Sequence, residues 1–282
     1  MRFGVRDGRA VVARGDRAAD VASVSGGELP ADPMALLEDW ARLRDWAAGL
    51  AEEAYDLPVD PTALGAPVPR PRQVFAVALN YPPHAAEAGH TPPDEPLVFT
   101  KFPSCVTGPH TTVALPEGKV DWEVELVAVI GRETYRVGED RAWDAVAGLT
   151  VGQDLSERTS QLRGRPAQFS LGKSFPGFGP PAPSWSPPTS STTPTTWRSP
   201  ALLNGEVVQH DRTKSVIFPV PDLVARLSAV LPLFPGDLIF TGTPAGVGNR
   251  MNPPGYLTAD DELVSRVEGI GEIRQYFTAV HP

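Results

Sequence analysis

The chain has 282 residues, a formal net charge of −9 and a pI near 5.1, a balance that argues against a nucleic-acid backbone or an anionic membrane surface as its main partner. Its single cysteine, Cys105, excludes an internal disulfide and suits a reducing cytoplasm. The opening MRFGVRDGRAVVARG carries no apolar signal core, and no segment approaches the roughly 18 apolar residues of a membrane span.

From the N-terminus, MRFGVRDGRAVVA reads as a β-hairpin turning at Asp7-Gly8. Residues 33–54 carry a helical apolar pattern through Leu36, Leu37, Trp40, Leu43, Trp46 and Leu50. Pro58, Pro61, Pro67, Pro69 and Pro71 then mark a linker. From Val74 onward short β-rich runs recur (VFAVAL, LVFTKF, an acidic strand, LTVGQD and DLIFTGTP), separated by Gly and Pro clusters, with a helix predicted over 220–231. The expectation is a mixed α+β, mainly β protein: a small N-terminal region over 1–68 and a catalytic domain over 69–282.

The acidic strand, DWEVELVAVIG, places Glu123 and Glu125 two residues apart. A strand sends alternate residues to one face, so both acids point the same way, with Trp122, Val124 and Leu126 on the other. Two like charges at the edge of a core are unfavourable unless something cationic lies between them. A solvated acidic face is the competing reading of this fragment. Further on, LTVGQDLSERTSQL has a β-like run ending at Asp154 and then a polar stretch. Its Asp154, Arg158 and Gln161 would share one face of a helix. An aspartate backed by a guanidinium is either a surface pair or a metal ligand beside a group that binds a substrate carboxylate or enolate. Three carboxylates with no His or Cys beside them suit a hard divalent cation such as Mg²⁺ or Mn²⁺, with Ca²⁺ an alternative.

Residues 181–199, PAPSWSPPTSSTTPTTWRS, contain no acid and almost no aliphatic residue, a Ser/Thr/Pro bias resembling a disordered linker. A structureless connection of that length inside a catalytic domain is unexpected. A GC-rich DNA encoding this stretch can encode, in the adjacent frame, a strand-like VLVT followed by an acidic connection. Two readings stand: a compensated frameshift beginning near Pro181 and ending near Pro200, or a genuine low-complexity loop. The gene's nucleotide sequence separates them, because codons unable to give acids in the other frame would leave only the loop.

Eight motifs in order carry a resemblance: ALNYPPHAAEAG, EPLVFTKFPSCVTGP, VDWEVELVAVIG, GLTVGQDLSERTSQ, LGKSF, LNGEVVQ, PGDLIFTGTPAGVG and VEGIGEIR. From about Phe75 to the C-terminus the chain resembles the fumarylacetoacetate hydrolase family, except at 181–199, where members are closer to the frame-shifted reading. The resemblance implies a β-roll, barrel-like catalytic domain, a homodimer, and a divalent-metal site of Glu123, Glu125 and Asp154. It implies that His84 and Glu87 activate water on a lid over residues 82–95. Their spacing, three residues apart, puts the pair within reach on a short helix, where Glu87 could orient His84; alone, the pair reads as a surface histidine capped by an acid. Lys173, Arg158 and Gln161 match positions that stabilise the developing oxyanion or leaving carbanion, and Thr243 a position near the substrate carboxylate. Tyr81 opens the lid motif, where it serves substrate or packing.

Family substrates are 2-oxo or 1,3-dicarbonyl acids, and the resemblance implies hydrolysis of a carbon–carbon bond through an enolate that the metal stabilises. Decarboxylation, isomerisation or tautomerisation, and hydration reuse the same core. The His84–Glu87 pair favours hydrolysis or decarboxylation, because isomerisation needs no activated water. A reading of another class is a catalytically impaired, metal-dependent binding protein.

Overall fold

The structure is a computed structural model that describes residues 1–182, 184–185 (backbone) and 196–279. At its middle runs the strand Val124–Ile130, paired antiparallel with Val146–Gln153 on one side and Leu238–Phe240 on the other. Leu238–Phe240 lies parallel to Val74–Ala78, which pairs antiparallel with the edge strand Leu97–Thr100. Every residue of Val124–Ile130 and Val146–Gln153 is buried, the pattern of strands covered on both faces. The two-residue period sorts their side chains into two cores: Trp122, Val124, Leu126, Ala128 and Ile130 join one, Val127 and Val129 the other. Glu123 and Glu125 therefore continue the stripe of Val127 and Val129.

A second five-stranded sheet runs Glu206–Gln209, Ala201–Leu203, Glu262–Val267, Gly271–Ala279, His110–Leu115. It contributes Val113, Leu263, Ile273 and Phe277 to the first core. The other core is completed from the N-terminal region. There Arg2–Arg6 and Arg9–Arg14 form the expected hairpin, turning through Asp7 and Gly8 at φ 51° and 75°, the left-handed pair that matches strand twist. Arg17–Asp20, Leu57–Pro58 and Leu64–Gly65 extend that sheet.

The helical pattern over 33–54 resolves into Pro33–Glu38 and Trp40–Ala48, with a 3₁₀ turn at Glu52–Ala54. The break falls at Asp39, whose φ −126° and ψ 52° leave the helical region. Asp32 caps the first helix by accepting from Met34 and Ala35 N–H. Leu36, Leu37, Trp40 and Leu43 bury in the core that holds Val127 and Val129, so the N-terminal region walls the stripe that carries the acids. Over 220–231 the expected helix forms as Val220–Val230. Among the described residues no helix is long and apolar enough to cross a membrane.

Both ends of the Ser/Thr/Pro segment are docked. Ala182 is buried and its N–H donates to Val151 O at 2.7 Å. Ser184–Trp185 pairs with Arg2–Arg6, and Trp197 and Thr213 exchange hydrogen bonds. The rest of that segment, 183 and 186–195, lies outside the described residues.

Asp20 illustrates the electrostatics of the N-terminal sheet. It accepts from Arg9 Nε at 2.7 Å and caps Val21–Val24 through Ser23 N–H at 2.8 Å. The Arg9 hydrogen bond, followed by opposing desolvation and then the cap, sets its carboxyl at about 2. A depressed folded pKa means stability present above the unfolded value and lost as pH falls toward 2. Asp20→Asn keeps a cap and removes the ion pair. It should cost about 0.5–1 kcal/mol near neutrality, after allowance for solvent screening. Chemical denaturation across pH should show that difference vanishing below the normal carboxylate range.

Candidate active site

The three carboxylates meet because of strand register. Val124 pairs with Gln153 and Glu125 with Gly152, so the residue after each strand end faces its counterpart, and Asp154 N–H donates to Glu123 O at 2.9 Å. The β-like run ends at Gln153, just before Asp154, and the polar stretch makes a helical turn, but Asp154 does not share that turn with Arg158 and Gln161. Ser156–Glu157 pairs with Val120–Asp121, and only Arg158–Gln161 is helical. Asp154 arrives at the end of a strand and Arg158 from the following turn. Glu157 caps that turn by accepting from Thr159 and Ser160 N–H at 2.9 and 2.7 Å. All three acids are buried, and one oxygen from each lies within 4.8 Å of the others.

Two lysines and an arginine hold the cluster. Lys173 Nζ donates to Glu123 Oε2 and Asp154 Oδ2, both at 2.8 Å. Lys101, with no exposed surface, donates to Asp154 Oδ1 at 2.5 Å and to Lys173 O. Arg158 spends its guanidinium on Asp121 Oδ1 (2.6 Å), Glu123 Oε1 (2.7 Å) and Gln161 Oε1 (2.8 Å). Burial alone would raise the Glu123 pKa, but the Lys173 and Arg158 charges outweigh it and hold the carboxyl at about 2. Burial also works against the Lys173 charge, and Asp154 and Glu123 outweigh it and raise its pKa. Glu125 goes the other way: burial first, then the neighbouring Asp154 and Glu123 charges, push its pKa well up. Its hydrogen-bond donor is Gly242 N–H, at 2.7 Å. Gly242 has φ 95°, and a Cβ there would come within 2.7 Å of Asn80 Cβ, so the close approach requires glycine.

A cavity of about 310 Å³ opens above the cluster, lined by His84, Glu123, Arg158, Gln161, Lys173 and Thr243 among the expected residues. His84 Nδ1 lies 2.7 Å from Glu87 Oε1, and Glu87 Oε2 accepts from Gly246 N–H at 3.0 Å. The pair is thus fixed to the loop after Leu238–Phe240. Gln161, with its oxygen taken by Arg158, keeps two N–H donors. Thr243 donates its hydroxyl to Val124 O and accepts from Gln209 Nε2, both at 2.9 Å, so that hydroxyl hydrogen is committed inside the protein. Tyr81 does not line the cavity; it is buried, and burial raises its pKa. Glu125 and Asp154 lie beneath the lining.

Several residues of this centre are not among the sequence expectations. Lys101 sits in LVFTKF, where a lone lysine inside an apolar run is the one signal available. Asp121, Gln153 and Gln209 carry none. Gln153 Oε1 accepts from Glu123 N–H at 2.5 Å and Gln209 Oε1 from Val124 N–H at 2.9 Å, satisfying the backbone where the acidic strand begins.

The donor set fits a hard divalent ion. Oxygens across an octahedral Mg²⁺ lie about 4.2 Å apart and across Ca²⁺ about 5 Å. The carboxylate spread of at most 4.8 Å is compatible with that range. No His or Cys belongs to the set, which disfavours Zn²⁺. An ion there would also remove the repulsion that raises Glu125.

The family model of the fumarylacetoacetate (FAA) hydrolase C-terminal domain matches residues 73–278. The mitochondrial oxaloacetate tautomerase FAHD2A of Homo sapiens is 39% identical over 226 residues, covering 79% of this chain and 72% of that protein. Among solved structures, a Mycobacterium smegmatis protein provisionally named HpcE superposes with a TM-score of 0.94 at 48% identity, over 100% of both chains. The maleylpyruvate hydrolase of Sphingobium sp. SYK-6, solved with manganese(II) and pyruvate, gives 0.83 at 26% identity, again over 100% of both. These relatives include a hydrolase and a tautomerase, and the fold is theirs.

Proposed function

The chain belongs to the fumarylacetoacetate hydrolase family, and from that premise we propose that it is a divalent-cation-dependent hydrolase cleaving a carbon–carbon bond in a 2-oxo or 1,3-dicarbonyl acid. The observation that carries the reading is His84, held at Nδ1 by Glu87, on the same cavity as Glu123 of the three-carboxylate cluster. A buried base oriented by a carboxylate beside a metal site is what water activation requires. Glu123, Glu125 and Asp154 would hold Mg²⁺ or Mn²⁺. The manganese of the maleylpyruvate hydrolase structure supports that choice.

Charge also favours an acid substrate. Asp121, Glu123, Glu125 and Asp154 face Lys101, Arg158 and Lys173, leaving one net negative charge with all ionised. A divalent ion turns this to one net positive charge, which a single carboxylate or enolate balances.

When bound, the ion polarises the 2-oxo group and stabilises negative charge on its oxygen. His84, with Nδ1 held by Glu87, takes a proton from water at Nε2. The water oxygen adds to the distal carbonyl, the carbon–carbon bond breaks, and its electron pair passes into the 2-oxo acid as an enolate. Lys173 has two N–H bonds committed to Glu123 and Asp154, and its third returns a proton to the carbon. Gln161 orients the head of the acid through its free N–H donors. The identity with an oxaloacetate tautomerase supports a second reading, proton transfer between keto and enol forms without cleavage. That reaction uses Lys173 and leaves His84 idle.

The test is a panel of acylpyruvates and oxaloacetate. Turnover should vanish after complete chelation of divalent ions and return with Mn²⁺ or Mg²⁺. Activity that survives chelation would refute the metal-dependent reading, and enol–keto exchange without cleavage would select the tautomerase.

A further inference from the structure

Two basic side chains on the cavity, Arg250 and His90, have no part in that chemistry. The other cations lining it are committed, Arg158 to Asp121 and Glu123, Lys173 to Glu123 and Asp154. Among the described residues neither Arg250 nor His90 has a side-chain ion pair. Both are exposed, whereas Glu123 is 6% and Lys173 2% exposed, so the cavity runs from a buried charged floor to a basic rim. Its walls between are apolar, formed by Val77, Leu97, Phe99, Leu162 and Phe169.

The backbone beneath Arg250 is tied to the floor. Arg250 ends the turn Gly248–Arg250, in which Asn249 N–H donates to Asp121 Oδ2 at 2.6 Å and Tyr256 OH to Asn249 Oδ1 at 2.9 Å. Asp121 also grips Arg158. One buried carboxylate therefore joins Arg158 to the turn that carries Arg250.

Size and charge point the same way. At roughly 30 Å³ per water-sized group, the cavity of about 310 Å³ holds more than the head of a 2-oxo acid. The floor with its ion balances one negative charge, so a second one on the same substrate must find its cation elsewhere. We infer that Arg250, with His90 beside the same opening, receives a second, terminal carboxylate, and that this contact favours dicarboxylic over monocarboxylic 2-oxo acids. This rests on the proposed function, and it assigns Arg250 as the residue that selects among 2-oxo acids.

The experiment is calorimetric binding to the Mn²⁺-loaded protein of three probes: 2-oxoadipate, 2-oxohexanoate (the same head without the second carboxylate) and oxalate (head-sized only). A charge-assisted hydrogen bond predicts that wild type prefers 2-oxoadipate over 2-oxohexanoate by about tenfold. Arg250→Leu should reduce that preference to about twofold or less while oxalate binding is unchanged, and Arg250→Lys should keep most of it. A preference that survives Arg250→Leu, or an equal loss for all three probes, would overturn the inference. Failure of oxalate to bind the wild type would refute the metal-site reading itself, and the inference with it.

Discussion

Lys173→Met should lower turnover by about 10²–10⁴ and at the same time tighten the binding of Mn²⁺. The two effects have one cause. Lys173 Nζ sits 2.8 Å from both Glu123 Oε2 and Asp154 Oδ2, so the group proposed to return the proton would also compete with an ion for the same oxygens. Methionine keeps the length and apolar packing and deletes the charge. In the metal-free protein that leaves buried carboxylates short of a counter-ion, and breaking a buried pair from one side costs about 3–5 kcal/mol. Added Mn²⁺ replaces the missing charge, so the deficit in Tm should be large in EDTA and much smaller with metal. Calorimetry should show higher Mn²⁺ affinity than wild type. An equal loss of Tm in both conditions, or weaker Mn²⁺ binding, would mean that Lys173 does not compete for those oxygens. Turnover close to wild type would remove it as proton donor.

The acids were legible because strand periodicity is local: residues two apart share a face whatever the rest of the chain does. Glu123 and Glu125 needed only their own strand to be recognised as a pair. Asp154 was legible as the end of a β-like run, and the strand Val146–Gln153 delivers it there; what its spacing to Arg158 and Gln161 did not show is the pairing of Val124 with Gln153 that sets it beside Glu123. Register between strands depends on contacts far apart in sequence. Lys101 lies 53 positions from Asp154, and Gln209 lies 85 from Val124. Such partners carry no spacing signal. The walls were hidden for the same reason: nothing in the pattern of Leu36, Leu37 and Trp40 says that they bury in the core of Val127 and Val129. Tyr81 adjoins the His84 helix in sequence, yet the chain buries it outside the cavity, because Asn80 is locked to Phe218 and Thr241.

His84→Gln should separate cleavage from enolisation. Hydrolysis requires an oxygen nucleophile, and His84 is the base on the cavity whose ring is oriented by a carboxylate, Glu87, at 2.7 Å. Removing a positioned base should lower cleavage of an acylpyruvate by about 10²–10⁴. Keto–enol exchange of oxaloacetate uses no water, and the groups that serve it, Lys173 and the carboxylate cluster, are untouched by the substitution, so exchange should stay near wild type. Glu87→Gln should give a smaller loss of cleavage, because it acts through the imidazole and through Gly246 N–H. The double variant should be little worse than His84→Gln alone, since residues acting as one unit do not add. Exchange followed by the deuterium label at the carbon next to the carbonyl, and cleavage followed by release of the carboxylic acid product, measure the two reactions on the same preparation. If cleavage alone falls in His84→Gln, the histidine serves water; if both fall together, His84 acts on a step the two reactions share and its assignment as the base for water is overturned.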